Sequence, residues 1–207
     1  NSNSTPLEKV KAYLSCHERD RVPDQELLFG HKSNFSWNAI YNSLLPYFDN
    51  SLSGLDQVFL ADYNGKLLYN FNPVNTRIAK SFDIELLTPL LNDNLISYGL
   101  TIPNKLKYDP TQNIGKLPLR DLLVKNQADS LISKEKLGFN VNTTNLWKST
   151  AHSKCKEFFD NARIVQDNWI SNEWIEKYID RENLDIKYIN KFLGLLAFEI
   201  WYRLFIT

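Results

Sequence analysis

Methionine is absent from this chain, at position 1 and everywhere else. A chain of this kind is expected to be processed, or to be a piece of something longer. Glycine is scarce, seven in 207 residues and none clustered. That excludes a phosphate cradle of the familiar kinds, since no GxGxxG, no GxxxxGK[ST] and no SGGxDS-like loop is present. Cysteine occurs twice, as Cys16 and Cys155, far apart and in no CxxC pattern. A chain of this length buries a sizeable core without staples, so both thiols are expected reduced, as in a cytoplasmic protein. With only His17, His31 and His152 beside them, no zinc-ligand spacing exists and no metal site is expected. Neither sign of charge is in excess, at 24 basic and 24 acidic residues. Nothing therefore draws the chain to nucleic acid or to an anionic membrane, and an anionic ligand needs a local basic cluster. The longest apolar stretch, Phe192–Ile206, is interrupted by Glu199 and Arg203. It is shorter than the roughly 20 residues a bilayer-spanning helix requires. The N-terminus Asn1–Thr5 is polar and shows no signal peptide. Repeats, low-complexity segments and long alternating strand patterns are missing as well.

What is present is helical periodicity. Thr5-Pro6-Leu7-Glu8 is a capping box with proline at the first helical position, and it predicts a helix running to about Cys16. His17–Ser33 reads as a loop. Ser36 caps a second helix carrying Trp37, Ile40, Leu44 and Leu45 on one face, punctuated by Pro46 and Asp49–Gly54. Further helical patterns follow through Leu55–Leu60, Asn72–Ile84, Asn92–Leu100 and Leu117–Leu123. Pro103–Gly115 is a polar connection, and Leu131–Thr144 is irregular. Asn145–Asp160, Ser171–Asp180 and Ile186–Phe205 close the chain. The last of these is apolar on every side apart from a few charges, which predicts a buried helix. The many aromatic residues, Trp147, Trp169 and Trp174 among them, read as packing anchors rather than ligand platforms.

Local chemistry is sparse. Ser133-Lys134-Glu135-Lys136-Leu137-Gly138-Phe139 sets two lysines before a glycine that permits close backbone approach. Lysine suits phosphate oxygens as a point charge, and an exposed basic loop is the plainer reading.

Several spacings then fall into one order. Arg77 is followed by Glu85 and by Pro89, which opens a helix, with Pro103 ending it. Lys116 precedes Leu119 and Arg120. Lys134, Lys136, Gly138 and Phe139 form a basic-x-Lys-x-Gly-Phe run. Trp147 follows, and the final helix carries the Glu-x-Trp pair Glu199 and Trp201. In this order and spacing the chain resembles the asparagine synthetase family over Arg77–Trp201. Glu26-Leu27-Leu28-Phe29-Gly30-His31 is similar to the family's Asp-Glu-Leu-Phe-Gly-Gly segment, without its flanking glycines. Departures stand at Leu87 (family Arg), Asn92 (family Asp), Thr76 (family Asp) and Ala79 (family Met). They put the substrate in doubt.

The resemblance implies a mainly α fold: the helical C-terminal part of a PP-loop asparagine-synthetase domain, lacking most of the parallel sheet. It implies residues 71–207 as that part, and 1–70 as an N-terminal helical segment of uncertain relation to it. It implies an ATP-dependent ligase of the glutamine-hydrolysing type, in which a carboxylate is activated as an acyl-adenylate and ammonia attacks. Lys136 and Glu85 are then catalytic: Lys136 steadies the departing pyrophosphate, and Glu85 takes the proton of the attacking amine. Glu85 is equally readable as a structural carboxylate at a helix end. Lys116, Gly138 and Arg77 would bind the nucleotide. ATP with Mg2+ would be held mainly by parts outside this chain. An upstream nucleotide-binding and glutaminase portion, or a partner chain, would complete the site, with aspartate the expected carboxylate. Two alternatives remain: a non-catalytic helical interaction module descended from that domain, and a lactam- or peptide-cyclising relative.

Overall fold

The computed structural model describes residues 4–16, 21–133 and 142–206. Among them helices dominate, and the one sheet is a two-stranded antiparallel pair. The chain divides into two units, Asn1–Ser43 with Phe139–Thr207, and Leu44–Gly138.

In the first unit, α1 spans Pro6–Ser15 and begins as its capping box requires. Glu8 N–H donates to Thr5 Oγ1 at 3.3 Å, and Thr5 N–H donates back to Glu8 Oε2 at 2.7 Å. The short α2, Gln25–Leu28, leads into an isolated antiparallel bridge between Phe29 and Ile170. After α3 (Trp37–Phe48), which crosses the division between the units, the first unit resumes with α9, Thr143–Leu146. Wide π-type turns over Trp147–Ala151 continue it into α10, His152–Phe159. Then come α11 (Arg163–Gln166), α12 (Asn172–Ile179) and α13 (Ile186–Phe205).

Phe192, fully buried on α13, is the centre of this core. Trp147, Phe159 and Trp174 approach its ring with centroids at 5.4, 6.1 and 5.3 Å. Burying one such side chain contributes about 1.5–3 kcal/mol, and the ring pairs add geometric preference. Trp147 and Trp174 are thus packing anchors, as their sequence setting suggests.

The last helix departs from expectation. Ile189, Phe192, Leu195, Glu199 and Tyr202 are buried, a stripe at three- and four-residue spacing. Trp201, Leu204 and Phe205 lie outside that stripe and are 46%, 69% and 71% exposed. The helix packs against α9, α10 and α11, and Trp201, Leu204 and Phe205 stay exposed, so apolar composition on every side does not bury every side.

In the second unit, α4 (Gly54–Ala61) runs through wide π-type turns at Asp62–Phe71 into α5, Asn72–Ser81. Pro73 has no N–H to give the ladder, and the register shift falls in the residues just before it. Gln57 is fully buried, and its Nε2 donates to the carbonyls of Phe48 (3.2 Å) and Asn50 (3.1 Å). α6 (Asp93–Thr101), α7 (Asn104–Lys107), the hairpin β1 (Tyr108–Asp109) and β2 (Ile114–Gly115), and α8 (Leu117–Lys125) complete it. Tyr108 pairs with Gly115 and Asp109 with Ile114.

Candidate functional site

The Arg77–Asn92 stretch is built around one helix end. Arg77 lies exposed on α5. The helix closes in a Schellman arrangement: Ile84 N–H donates to Ala79 O (2.9 Å) and Asp83 N–H to Lys80 O (3.2 Å), with Asp83 left-handed at φ 54°. Asp tolerates that conformation better than most residues. Glu85 follows directly, exposed, in non-helical backbone that runs to the 3-10 turn Pro89–Leu91. Asn92 then caps α6, its Oδ1 accepting from Asn94 N–H at 3.0 Å. Asn and Asp cap helices about equally well. The departure at position 92 therefore leaves this helix start intact.

Lys116 sits at the start of α8, exposed and in the left-handed region at φ 59°, ψ 34°. Its carbonyl accepts from the amides of Leu119 and Arg120, each at 3.1 Å, and Arg120 Nε donates to Gly115 O at 3.0 Å. The Lys116, Leu119 and Arg120 spacing is thus one local turn. A bulky residue held at positive φ stores strain, and such strain gathers at functional positions. Lys116 also lines a cleft of about 440 Å³ with Leu55, Phe59, Lys107, Tyr108, Gly115 and Pro118. Behind that cleft Lys107 Nζ lies 3.6 Å from Asp56 Oδ1 and donates to Gly99 O at 3.3 Å. The Ser53 hydroxyl on Asp56 holds its carboxyl below the usual range, helped by Asn104 and Lys107 against partial burial.

Arg77, Glu85 and Lys116 therefore belong to one unit but to three separate stretches of it, α5, the segment after α5 and the start of α8. Among the described residues none of the three side chains makes a hydrogen bond or ion pair with another. Lys136 and Gly138, with Phe139, lie outside the described residues. No cluster of three or more His, Cys, Asp or Glu side chains suited to a metal occurs among the described residues. No described helix is long and apolar enough to cross a membrane.

Sequence reasoning missed several buried polar groups of the other unit. Glu199 is fully buried and accepts the backbone amides of Arg163 (2.9 Å) and Ile164 (3.0 Å), while Arg203 Nε reaches it at 2.6 Å. Arg203 in turn donates to the carbonyls of Phe158 (3.0 Å) and Asn161 (2.9 Å). The Glu-x-Trp spacing pointed at Glu199 without showing these partners. Asp24 accepts from the hydroxyl of Tyr178 and from Lys177 Nζ at 3.2 Å. Burial alone would raise its pKa; the hydrogen bonds of Tyr178, Lys177 and its own backbone outweigh burial and lower it. Trp174 adds to that lowering, although its Nε1 and Asp24 Oδ1 stand outside hydrogen-bond geometry and are buried without a partner. The nearby Tyr188 hydroxyl is pushed up to about 12, chiefly by burial.

Gly30 is the third missed feature. A Cβ there would overlap the Asn168 carbonyl, with the carbonyl carbon at 2.6 Å. The approach is that close because Gly30 N–H donates to Trp169 O (2.9 Å), Lys32 N–H to Asn168 O (3.0 Å) and Ser171 N–H to Leu28 O (2.9 Å).

A family model described as asparagine synthase matches residues 6–203. No curated protein and no solved structure matches the chain. The match takes in residues 6–70 as well as the Arg77–Trp201 spacings, and on it the chain belongs to the asparagine synthase family.

Proposed function

We propose that this chain works as part of an ATP-dependent amide-forming enzyme that activates a carboxylate and joins it to ammonia. Family membership carries the coarse reading, an amide-forming ligase. The finer reading draws its support from one observation: Arg77 within α5, Glu85 just beyond that helix and Lys116 at the start of α8 are exposed, and among the described residues none of the three side chains has a hydrogen bond or ion pair. Exposed charges are poor contributors to stability, and they are available to a ligand.

The residues present fit part of an ATP site. Lys116, Arg77 and Lys136 would contact phosphate oxygens as single cations. The described glycines make no amide nest, because Gly54, Gly65, Gly99 and Gly194 sit within helices, Gly115 sits within a strand, and the Gly30 N–H is taken by Trp169 O. The cradle would come from an upstream nucleotide-binding portion or a partner chain. Mg2+ would accompany the phosphates there. When bound, ATP supplies the driving force for carboxylate activation. In this chain, Lys136 and then Lys116 place positive charge where negative charge grows as the activated carboxylate forms, and a fixed donor of that kind stabilises the transition state. Glu85 accepts the proton that the attacking ammonia must lose. Gly138, having no Cβ, would let the backbone beside Lys136 approach a ligand closely. Aspartate is the first carboxylate to try, with ammonia delivered by a glutaminase portion. Leu87 in place of arginine favours testing carboxylates without a second acidic group, including those that close a lactam.

The test joins this chain to the portion that carries the phosphate loop and supplies ATP, ammonia and a panel of carboxylates. Amide product appearing with AMP and pyrophosphate supports the reading. ATP turnover with no amide from any carboxylate, or no binding between the two portions, supports a non-catalytic helical module instead.

A further inference from the structure

We infer that Glu199 is a positioning residue that fixes the contact between Leu28–Lys32 and Asn168–Ser171, and with it the cleft these segments wall. The cleft, about 470 Å³, is lined by Glu26, Phe29, Gly30 and His31 on one side and by Ile170, Trp174 and Lys177 on the other. Three backbone hydrogen bonds join its two sides, Gly30 to Trp169, Lys32 to Asn168 and Ser171 to Leu28. The Asn168 side of that contact hangs from the turn that Glu199 holds. Trp169 and Ile170 amides both donate to Ile164 O (2.9 and 3.2 Å), and Ile164 N–H is one of the two amides on the Glu199 carboxylate. Asn168 itself is left-handed at φ 60° and donates to Val165 O at 2.9 Å, inside the same turn.

The chain of bonds therefore runs from a buried charge on α13, through Ile164, to the strand-like contact at Gly30. A carboxylate is needed rather than an amide. Both oxygens face N–H donors, with the Arg203 guanidinium as a third. Glutamine would turn an NH2 group against at least one of those donors. Gly30 is needed on the other side, because any Cβ would meet the Asn168 carbonyl. The bearing on catalysis rests on the amide-forming reading, in which Leu28-Phe29-Gly30 stands at the family's Leu-Phe-Gly. The exchange measurement below does not, so the two fail separately.

Amide hydrogen exchange of the 207-residue chain provides the test. With Glu199→Gln, exchange at Arg163, Ile164, Gly30, Lys32 and Ser171 should rise at least about tenfold, the scale of one lost charge-assisted hydrogen bond. The amides of α1 should change little. Gly30→Ala should open Gly30, Lys32 and Ser171 while leaving Arg163 and Ile164 protected on the carboxylate. Should Glu199→Gln not fold, Arg203→Lys takes its place and should loosen the same five amides selectively. Faster exchange at Arg163 and Ile164 alone, or a uniform rise across the unit in both Glu199→Gln and Arg203→Lys, would overturn the inference. The first makes Glu199 a local cap, and the second makes it general ballast.

Discussion

The carboxylate of Glu199, fully buried on the last helix, accepts the backbone N–H of Ile164 at 3.0 Å across 35 residues of sequence. Arg163 N–H and the Arg203 guanidinium occupy the rest of it. Glu199→Ala strands two amides at a buried point and takes one partner from Arg203, which keeps the Phe158 and Asn161 carbonyls. Each amide left unsatisfied costs about 1–3 kcal/mol. Urea denaturation followed by circular dichroism should show a loss of that size, against less than about 1 kcal/mol for an exposed control such as Glu157→Ala. Equal effects at the two positions would refute the role given to Glu199.

The two thiols should behave differently. Burial pushes the Cys155 thiol up to about 12, whereas Cys16 is exposed. The thiolate is the reactive form. An Ellman titration of the native chain at pH 8 should count one thiol promptly and a second only after denaturant. Two prompt thiols would show that Cys155 is not in the core described.

Asp24 gives the chain an acid-sensitive joint. Its folded pKa is depressed, so the stability it contributes is present above the unfolded value of about 3.9. That contribution is lost as pH falls through the lower folded value. Asp24→Asn should leave less stability to lose on acidification, flattening the melting-temperature profile below about pH 4 relative to the parent. An unchanged profile would mean that the Tyr178 and Lys177 bonds carry no net stabilisation.

At Lys116 backbone and side chain can be separated. Lys116→Gly relieves a left-handed conformation that costs a side-chain-bearing residue about 1–2 kcal/mol. The exposed side chain gives little back. Lys116→Gly should therefore melt no lower than the parent, and Lys116→Ala should melt close to it. In the assembled enzyme both should slow amide formation alike, because both remove the charge. Full activity in the two variants would remove Lys116 from the site.

Much of the fold was legible because its signals are local. The Thr5–Glu8 capping box spans four residues, and the structure places its bonds as the sequence suggests. The helix starts at Ser171 and Asp185 are also set locally, by their own side chains accepting the Trp174 and Lys187 amides. The missed features depend on contacts that no window contains. Glu199 looks like an interruption in an apolar run until amides from residues 163 and 164 are seen to need it. Gly30 looks like an ordinary loop glycine until the Asn168 carbonyl closes on it. Composition could not show which side of α13 is covered, since Trp201, Leu204 and Phe205 are as apolar as the residues it buries. For the candidate site, spacing picked out Arg77, Glu85 and Lys116, but motif order carries no information on how separate stretches of chain bring side chains to one point.

The central claim, that this chain helps activate a carboxylate at the expense of ATP, meets its most direct test at Lys136. The measurement is carboxylate-dependent exchange of labelled pyrophosphate into ATP by the enzyme assembled from this chain and the phosphate-loop portion. Only charge that is greater in the transition state than in the ground state accelerates the step. Lys136→Ala should therefore cut the exchange rate by about 10²–10³ while shifting the ATP requirement far less. Lys136→Arg should restore it only in part, because a planar fork does not replace a compact point charge. Exchange at the parental rate in Lys136→Ala, or no carboxylate-dependent exchange in the parent, would contradict the account.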